Sequence, residues 1–192
     1  ATYPIPSNAI QHPNSLQQPL KILVLCTGNS ARSVMAEGLF NGLAKEYFHA
    51  FSAGSHPSGK VNPFALEQIA SLNLAYEPRS KSWNEFAETN AVAVDVVLTV
   101  CGNAAQEICP HFIGTPKRIH WGLPDPAAVK GSDDTIRRAF HACYQVFEWR
   151  IQRILEQLHT QPDADILSVL KNLSNQYPSP KKINEHGFSE CI

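Results

Sequence analysis

A cysteine, five residues and an arginine stand between an apolar run and an amphipathic stretch: Cys26-Thr27-Gly28-Asn29-Ser30-Ala31-Arg32-Ser33. These residue types suit one task, which is to hold a tetrahedral oxyanion above a thiol. Gly28 and Asn29 tolerate backbone conformations that other residues resist. The loop can therefore turn successive N–H groups inward as a nest for an anion. A helix starting near Ser33 would add its positive end to the same place. Arg32 can fork two hydrogen bonds onto the oxyanion. Such surroundings favour the nucleophilic thiolate form of a cysteine, and the Ser33 hydroxyl can donate to that sulfur. The bare spacing also arises by chance where a buried cysteine ends a strand. The strand before it, the Gly28-Asn29 pair and the serine and helix after it decide for the anion loop.

Three more residues have types that do chemistry. Cys101 follows Leu98-Thr99-Val100 at the carboxyl end of a second apolar strand. In open parallel sheets ligand sites form at that edge, so Cys101 is expected near Cys26. Cys109 follows it after seven intervening residues. Taken singly, each of these cysteines reads as a buried structural thiol. Asp125 sits in Trp121-Gly122-Leu123-Pro124-Asp125-Pro126, which taken alone reads as a turn. Cys143 falls on a helical apolar stripe and is read as core, and Cys191 as a free thiol near the end of the sequence. The eight histidines show no metal-ligand spacing, so no catalytic metal is expected.

The elements that would position these groups follow from patterning. Leu20–Leu25 is a short, nearly continuous apolar run, as in a strand buried on both faces of a parallel sheet. Residues 33–46 read as a helix with Met35, Leu39, Leu43 and Ala44 on one side. Phe48–Ser52 reads as a second strand closed by Gly54. Asn62-Pro63 opens a helix as N-cap and first residue. Residues 92–100 form a β-branched strand, and a short helix is expected over 103–109, ended by Pro110. Residues 118–121 suggest a last strand. Ser132-Asp133-Asp134 starts a long helix reaching about Leu158. Strands alternating with helices indicate an α/β fold with a parallel sheet flanked by helices.

The length, 192 residues, suits one α/β domain with some extra chain. Residues 1–19 are rich in Pro, Asn, Gln and Ser and read as a flexible arm, with too little apolar surface to offset ordering. Residues 20–160 read as the catalytic domain and 161–192 as a C-terminal extension. The extension holds one helix over 163–175, whose one-sided apolar pattern would dock on this domain or a twin subunit. A formal net charge of −1 argues against nucleic-acid binding and against attraction to anionic membranes. No stretch reaches the ~18 apolar residues of a membrane helix. The N-terminal stretch lacks the basic start and apolar run of a secretory signal. The expected location is the cytoplasm, where the five cysteines would be thiols rather than structural disulfides.

The segment Val24–Gly38, VLCTGNSARSVMAEG, resembles the signature loop of low-molecular-weight tyrosine phosphatases and their arsenate reductase relatives. The likeness runs from about residue 20 to residue 158. It implies a four-stranded parallel sheet of flavodoxin-like type. It implies Cys26 as nucleophile, Thr27, Gly28, Asn29, Ser30, Ala31, Arg32 and Ser33 as the oxyanion cradle, and Asp125 as general acid. Phosphatases of this fold carry aromatic residues after the Asp-Pro pair, whereas Ala127-Ala128 follow here. Arg79-Ser80-Lys81-Ser82 and the segment from Cys101 to Pro110 resemble the reductase branch, although the spacing between Cys101 and Cys109 is one residue longer than in its best-known members. The resemblance then implies reduction of arsenate to arsenite through a relay of Cys26, Cys101 and Cys109. An external thiol reductant, thioredoxin or a glutaredoxin–glutathione system, would close the cycle with no tightly bound cofactor. Asn29, Glu37 and Ser52 match positions that bind potassium in some relatives; for Glu37 a hydrogen-bonding role reads first. The rivals are a tyrosine phosphatase with two idle cysteines and a non-enzymatic regulator that binds arsenic or an oxyanion.

A helix over 102–109 would conflict with a disulfide between its flanking thiols. Eight residues at ~1.5 Å rise separate the Cα atoms by about 12 Å, whereas a disulfide needs less than roughly 7 Å. The segment is therefore either irregular already or unwinds in each cycle.

Overall fold

The computed structural model describes residues 18–178. The expected N-terminal arm, apart from its last two residues, and Cys191 lie outside them. Strand β1 (Leu20–Cys26) is followed by α1 (Arg32–Leu43), β2 (Phe48–Gly54), α2 (Pro63–Ile69), β3 (Val96–Thr99), α3 (Gly102–Gln106), β4 (Lys117–His120), α4 (Asp133–Thr160) and α5 (Ile166–Asn172). The sheet has four strands in the order β2-β1-β3-β4, all parallel. Ile22, Leu23, Val24 and Leu25 are all fully buried, so both faces of β1 are covered. That is why its sequence is continuous in apolar residues rather than alternating. Helices α1, α2 and α4 pack on one another, and α5 packs on α4 and β4.

The strand order decides where the chemistry sits. The chain leaves β1 for β2 on one side and returns to β3 on the other. The loops after β1 and β3 therefore part at the carboxyl edge of neighbouring strands, where a crevice opens. Cys26 ends β1, and Cys101 lies two residues past β3. The loop after β4 reaches the same edge and carries Asp125.

Several element ends differ from the sequence reading. Helix α1 stops at Leu43, not at residue 46, because residues 44–47 turn to bring Phe48 beside Leu20 in parallel register. Strand β3 covers only Val96–Thr99 of the expected 92–100. Val94 packs in the core, and the Asp95 side chain accepts from Lys21 N–H at 2.8 Å at the start of the ladder. Strand β4 begins and ends one residue early, at Lys117 and His120. Helix α4 starts as expected with Ser132 as its cap, the hydroxyl accepting from Thr135 N, and it runs on to Thr160. Helix α5 is shorter than the expected 163–175, since a turn with Ala164 N donating to Gln161 O precedes it. Helix α3 ends at Gln106 rather than 109: Glu107 is extended, and the residue before Pro110 is disfavoured in helix. Cys109 thus lies in irregular chain rather than in the helix.

Candidate active site

The loop after β1 is held from outside by its carbonyls. Thr27 O accepts from His56 N, Gly28 O from Ser58 N and Ser30 O from Asn62 N, each at 2.9 Å. With those carbonyls turned outward, the N–H groups on the same peptide planes face the interior of the loop. One of them, Asn29 N–H, donates to Cys26 Sγ at 3.2 Å. Asn29 takes the left-handed φ of 46°, which asparagine tolerates better than most residues. No described side chain caps α1, so its first N–H groups also remain for an anion.

Beneath the loop runs a row of buried polar groups. Cys26 Sγ lies 2.9 Å from Ser33 Oγ, and Asn29 Nδ2 donates to Ser33 Oγ at 2.8 Å and to Ser52 Oγ at 3.0 Å. Ser52 in turn donates to Glu37 at 2.9 Å. Burial pushes the Glu37 carboxyl up, against the opposing pull of Lys81 and the bonds from Ser52. The three positions compared with a potassium site, Asn29, Ser52 and Glu37, therefore meet one another directly through hydrogen bonds. Ser80 and Lys81 complete the support, with Ser80 Oγ donating to Gly28 O at 3.2 Å and Lys81 N to Asn29 Oδ1 at 2.9 Å.

Gly54, at the end of β2, is a close-approach glycine. A Cβ there would lie 2.4 Å from Thr27 O and 3.0 Å from Asn29 N, both backbone atoms. Gly54→Ala must displace the loop itself. It is expected to cost about 1–3 kcal/mol of stability, as overpacking does, and to weaken oxyanion binding. Thermal unfolding together with phosphate titration checks this, and an unchanged midpoint with unchanged phosphate affinity would show that the loop accommodates the methyl.

Cys26 and its loop open into a cavity of about 180 Å³ whose walls also include Cys101, Asn103 and Asp125. The structure thus brings Cys26, Arg32, Cys101 and Asp125 together. Cys101 Sγ lies 3.6 Å from Thr27 Oγ1 and accepts from Ala104 N at 3.3 Å. Arg32 Nη1 donates to Leu123 O at 2.8 Å, and its Nη2 lies 3.7 Å from Asp125. Asp125 is exposed and caps the turn at 126–128 by accepting from Ala127 N at 3.0 Å. Cys109 is not in this cavity. It lines a separate one of about 310 Å³ with Val97, Phe112 and Arg118. Burial pushes the Cys109 thiol up, with Arg118 opposing. A roomier cavity, about 530 Å³, lies behind the loop against Glu37, but no cysteine lines it, so volume is no guide here.

Sequence reasoning missed the carbonyl of Leu123 on Arg32, and Asn103 in the cavity wall. The first is a backbone contact with no residue signature. The second was signalled only by its place just after Cys101. Cys143 is fully buried on α4, as its stripe suggested.

Residues 21–164 match the family described as low molecular weight phosphotyrosine protein phosphatase. The arsenate reductase of Shouchella clausii is 32% identical over 135 residues, covering 70% of this chain and 94% of that protein. The crystal structure of arsenate reductase from Archaeoglobus fulgidus is similar at 27% identity and a TM-score of 0.51, over 70% of this chain and 98% of the other. A low molecular weight protein tyrosine phosphatase from Bacillus subtilis shares the fold, with a TM-score of 0.52 at 24% identity over 74% of this chain and 99% of its own.

Proposed function

Since the chain belongs to the low molecular weight phosphotyrosine protein phosphatase family, we propose from its site that it is an arsenate reductase using Cys26 as nucleophile. The observation that carries this reading is the second thiol: Cys101 shares the cavity of Cys26, with its sulfur against Thr27 Oγ1. Phosphate-ester hydrolysis needs one thiol, whereas reduction of arsenic(V) to arsenic(III) needs two electrons, which a pair of thiols supplies on forming a disulfide. The exposed residues after Pro126 are Ala127 and Ala128, which offer no ring to stack on a phosphotyrosine.

Arsenate sits on the inward N–H groups and Arg32. The Cys26 thiolate attacks arsenic, a hydroxide leaves, and Asp125 protonates it to water. The Cys101 thiolate then attacks Cys26 Sγ. The S–As bond breaks with its electron pair on arsenic, releasing arsenite and leaving a Cys26–Cys101 disulfide. Cys109 attacks Cys101, restoring Cys26 and forming a Cys101–Cys109 disulfide. Cys109 lines a cavity separate from that of Cys26 and Cys101, and burial pushes its thiol up, so this step waits for the segment after α3 to move. Pro110 and the exposed Ile108 lie in that irregular segment, where an external dithiol such as thioredoxin or a glutaredoxin can reach the disulfide. No described helix is long and apolar enough to cross a membrane. A cycle that ends in a disulfide needs a reducing compartment, and the cytoplasm is the proposed location.

The test is arsenite release from arsenate with thioredoxin, thioredoxin reductase and NADPH, run beside a glutaredoxin–glutathione arm. Arsenite formation that stops when the reductant is withheld is the expected result. Steady hydrolysis of a phosphotyrosyl peptide with no arsenite formed would replace the reading with a phosphatase, and tight arsenate binding without any turnover would replace it with a binding protein.

A further inference from the structure

We propose that the chain beyond α4, from α5 to Tyr177, is a positioning device for the loop that carries Asp125. The family match ends at residue 164, so the segment lies beyond the residues matched to the family. It is nonetheless packed as core: Ile166, Val169, Leu170 and Leu173 are all buried. Besides α4, it is attached to Trp121, the residue that leaves β4 for the acid loop. Trp121 is fully buried, and its indole N–H donates to Leu170 O at 2.8 Å. Arg150 of α4, also fully buried, lies with its guanidinium 5.6 Å from the Trp121 ring centre and 4.9 Å from that of Tyr177. Arg150 Nε donates to Gln176 O at 3.0 Å. Carbonyls beyond the family match therefore satisfy both a buried indole and a buried guanidinium nitrogen, groups that are costly to leave unpaired.

The path to the chemistry is short. Trp121 N is tied to Thr99 O at 2.8 Å and Leu123 N to Val100 O at 3.3 Å. Leu123 O receives Arg32 at 2.8 Å, and two residues on, after the rigid Pro124, stands Asp125. Trp121 is thus held from behind by α5 and Leu123 from the front by Arg32, on the stretch of chain that leads to Asp125. Loss of the rear pin frees the loop to shift, and a shift of about 1 Å at a reacting group can cost up to ~10²-fold in rate.

The kinetic arm of the test rests on the reading of Asp125 as general acid; the structural arm does not. Two variants are used in the full chain. Trp121→Phe keeps a buried ring and removes the N–H, and Leu170→Ala loosens α5 while keeping the carbonyl. Hydrogen exchange across residues 121–128 is expected to rise in both. The single-turnover rate of oxidation by arsenate is expected to fall about 10- to 100-fold, with inorganic phosphate affinity held within about twofold of wild type. In an Asp125→Asn background the Trp121→Phe loss should vanish, because the two act as one unit. Unchanged exchange at 121–128 in both variants overturns the proposal. So does a rate loss of equal size in the Asp125→Asn background, which would mark a general loss of structure. A wild-type protein inert to arsenate would instead refute the reductase reading, while the exchange measurement still decides the clamp.

Discussion

Cys26→Ser is expected to abolish arsenate reduction and any phosphatase side activity. The hydroxyl that replaces the thiol is a weak nucleophile near neutral pH, and it cannot form a disulfide with Cys101. The cradle should survive the change. The loop carbonyls are held by residues 56–62, and Asn29 is held by Lys81, Ser52 and Ser33. None of these contacts depends on the sulfur. Removing a nucleophile that acts as part of a unit costs on the order of 10⁶ in turnover. The expected result is therefore loss of both activities with phosphate still bound, read by arsenite formation, hydrolysis of an aryl phosphate and phosphate titration. Substantial turnover of either kind in the variant would remove Cys26 from the mechanism.

Asp125→Asn should slow the first chemical step by roughly 10²–10⁴, the usual contribution of a positioned acid. The substitution is informative because the geometry lets it isolate the proton. Asp125 Oδ1 accepts from Ala127 N at 3.0 Å, and an asparagine oxygen can accept the same bond, so the turn at 126–128 keeps its cap. Its contact to Arg32, at 3.7 Å on a partly exposed pair, contributes little to stability. Folding and phosphate affinity should thus stay near wild type while single-turnover oxidation by arsenate slows. An unchanged single-turnover rate would show that water or another group supplies the proton.

What the sequence made legible was local. The run before Cys26 is apolar at nearly every position because β1 is covered on both faces, and the loop after it combines Gly28, Asn29 and Arg32 within a few residues. Even the meeting of Cys26 and Cys101 could be anticipated, since two neighbouring parallel strands end at one edge. The remaining geometry depends on backbone atoms far apart in the chain. Nothing in the type of Leu123 announces that its carbonyl will hold Arg32, nor in Leu170 that its carbonyl will hold Trp121. The extent of α3 was misjudged: the reading carried the helix to residue 109 with Pro110 as its stop, whereas the chain is already extended at Glu107. That shorter helix matters for the relay, because it leaves Cys109 on chain that can move without first unwinding a helical turn.

In the proposed cycle arsenate takes two electrons from Cys26 and Cys101, and Cys109 then restores Cys26 by drawing the disulfide outward. Cys109→Ser, fully reduced and then mixed with excess arsenate and thioredoxin, separates these steps when arsenite is counted and disulfides are mapped in the quenched protein. About one arsenite per chain is expected, followed by a stall with a Cys26–Cys101 disulfide. Sustained thioredoxin-driven turnover by this variant, or one turnover with no Cys26–Cys101 linkage, would rule out the relay.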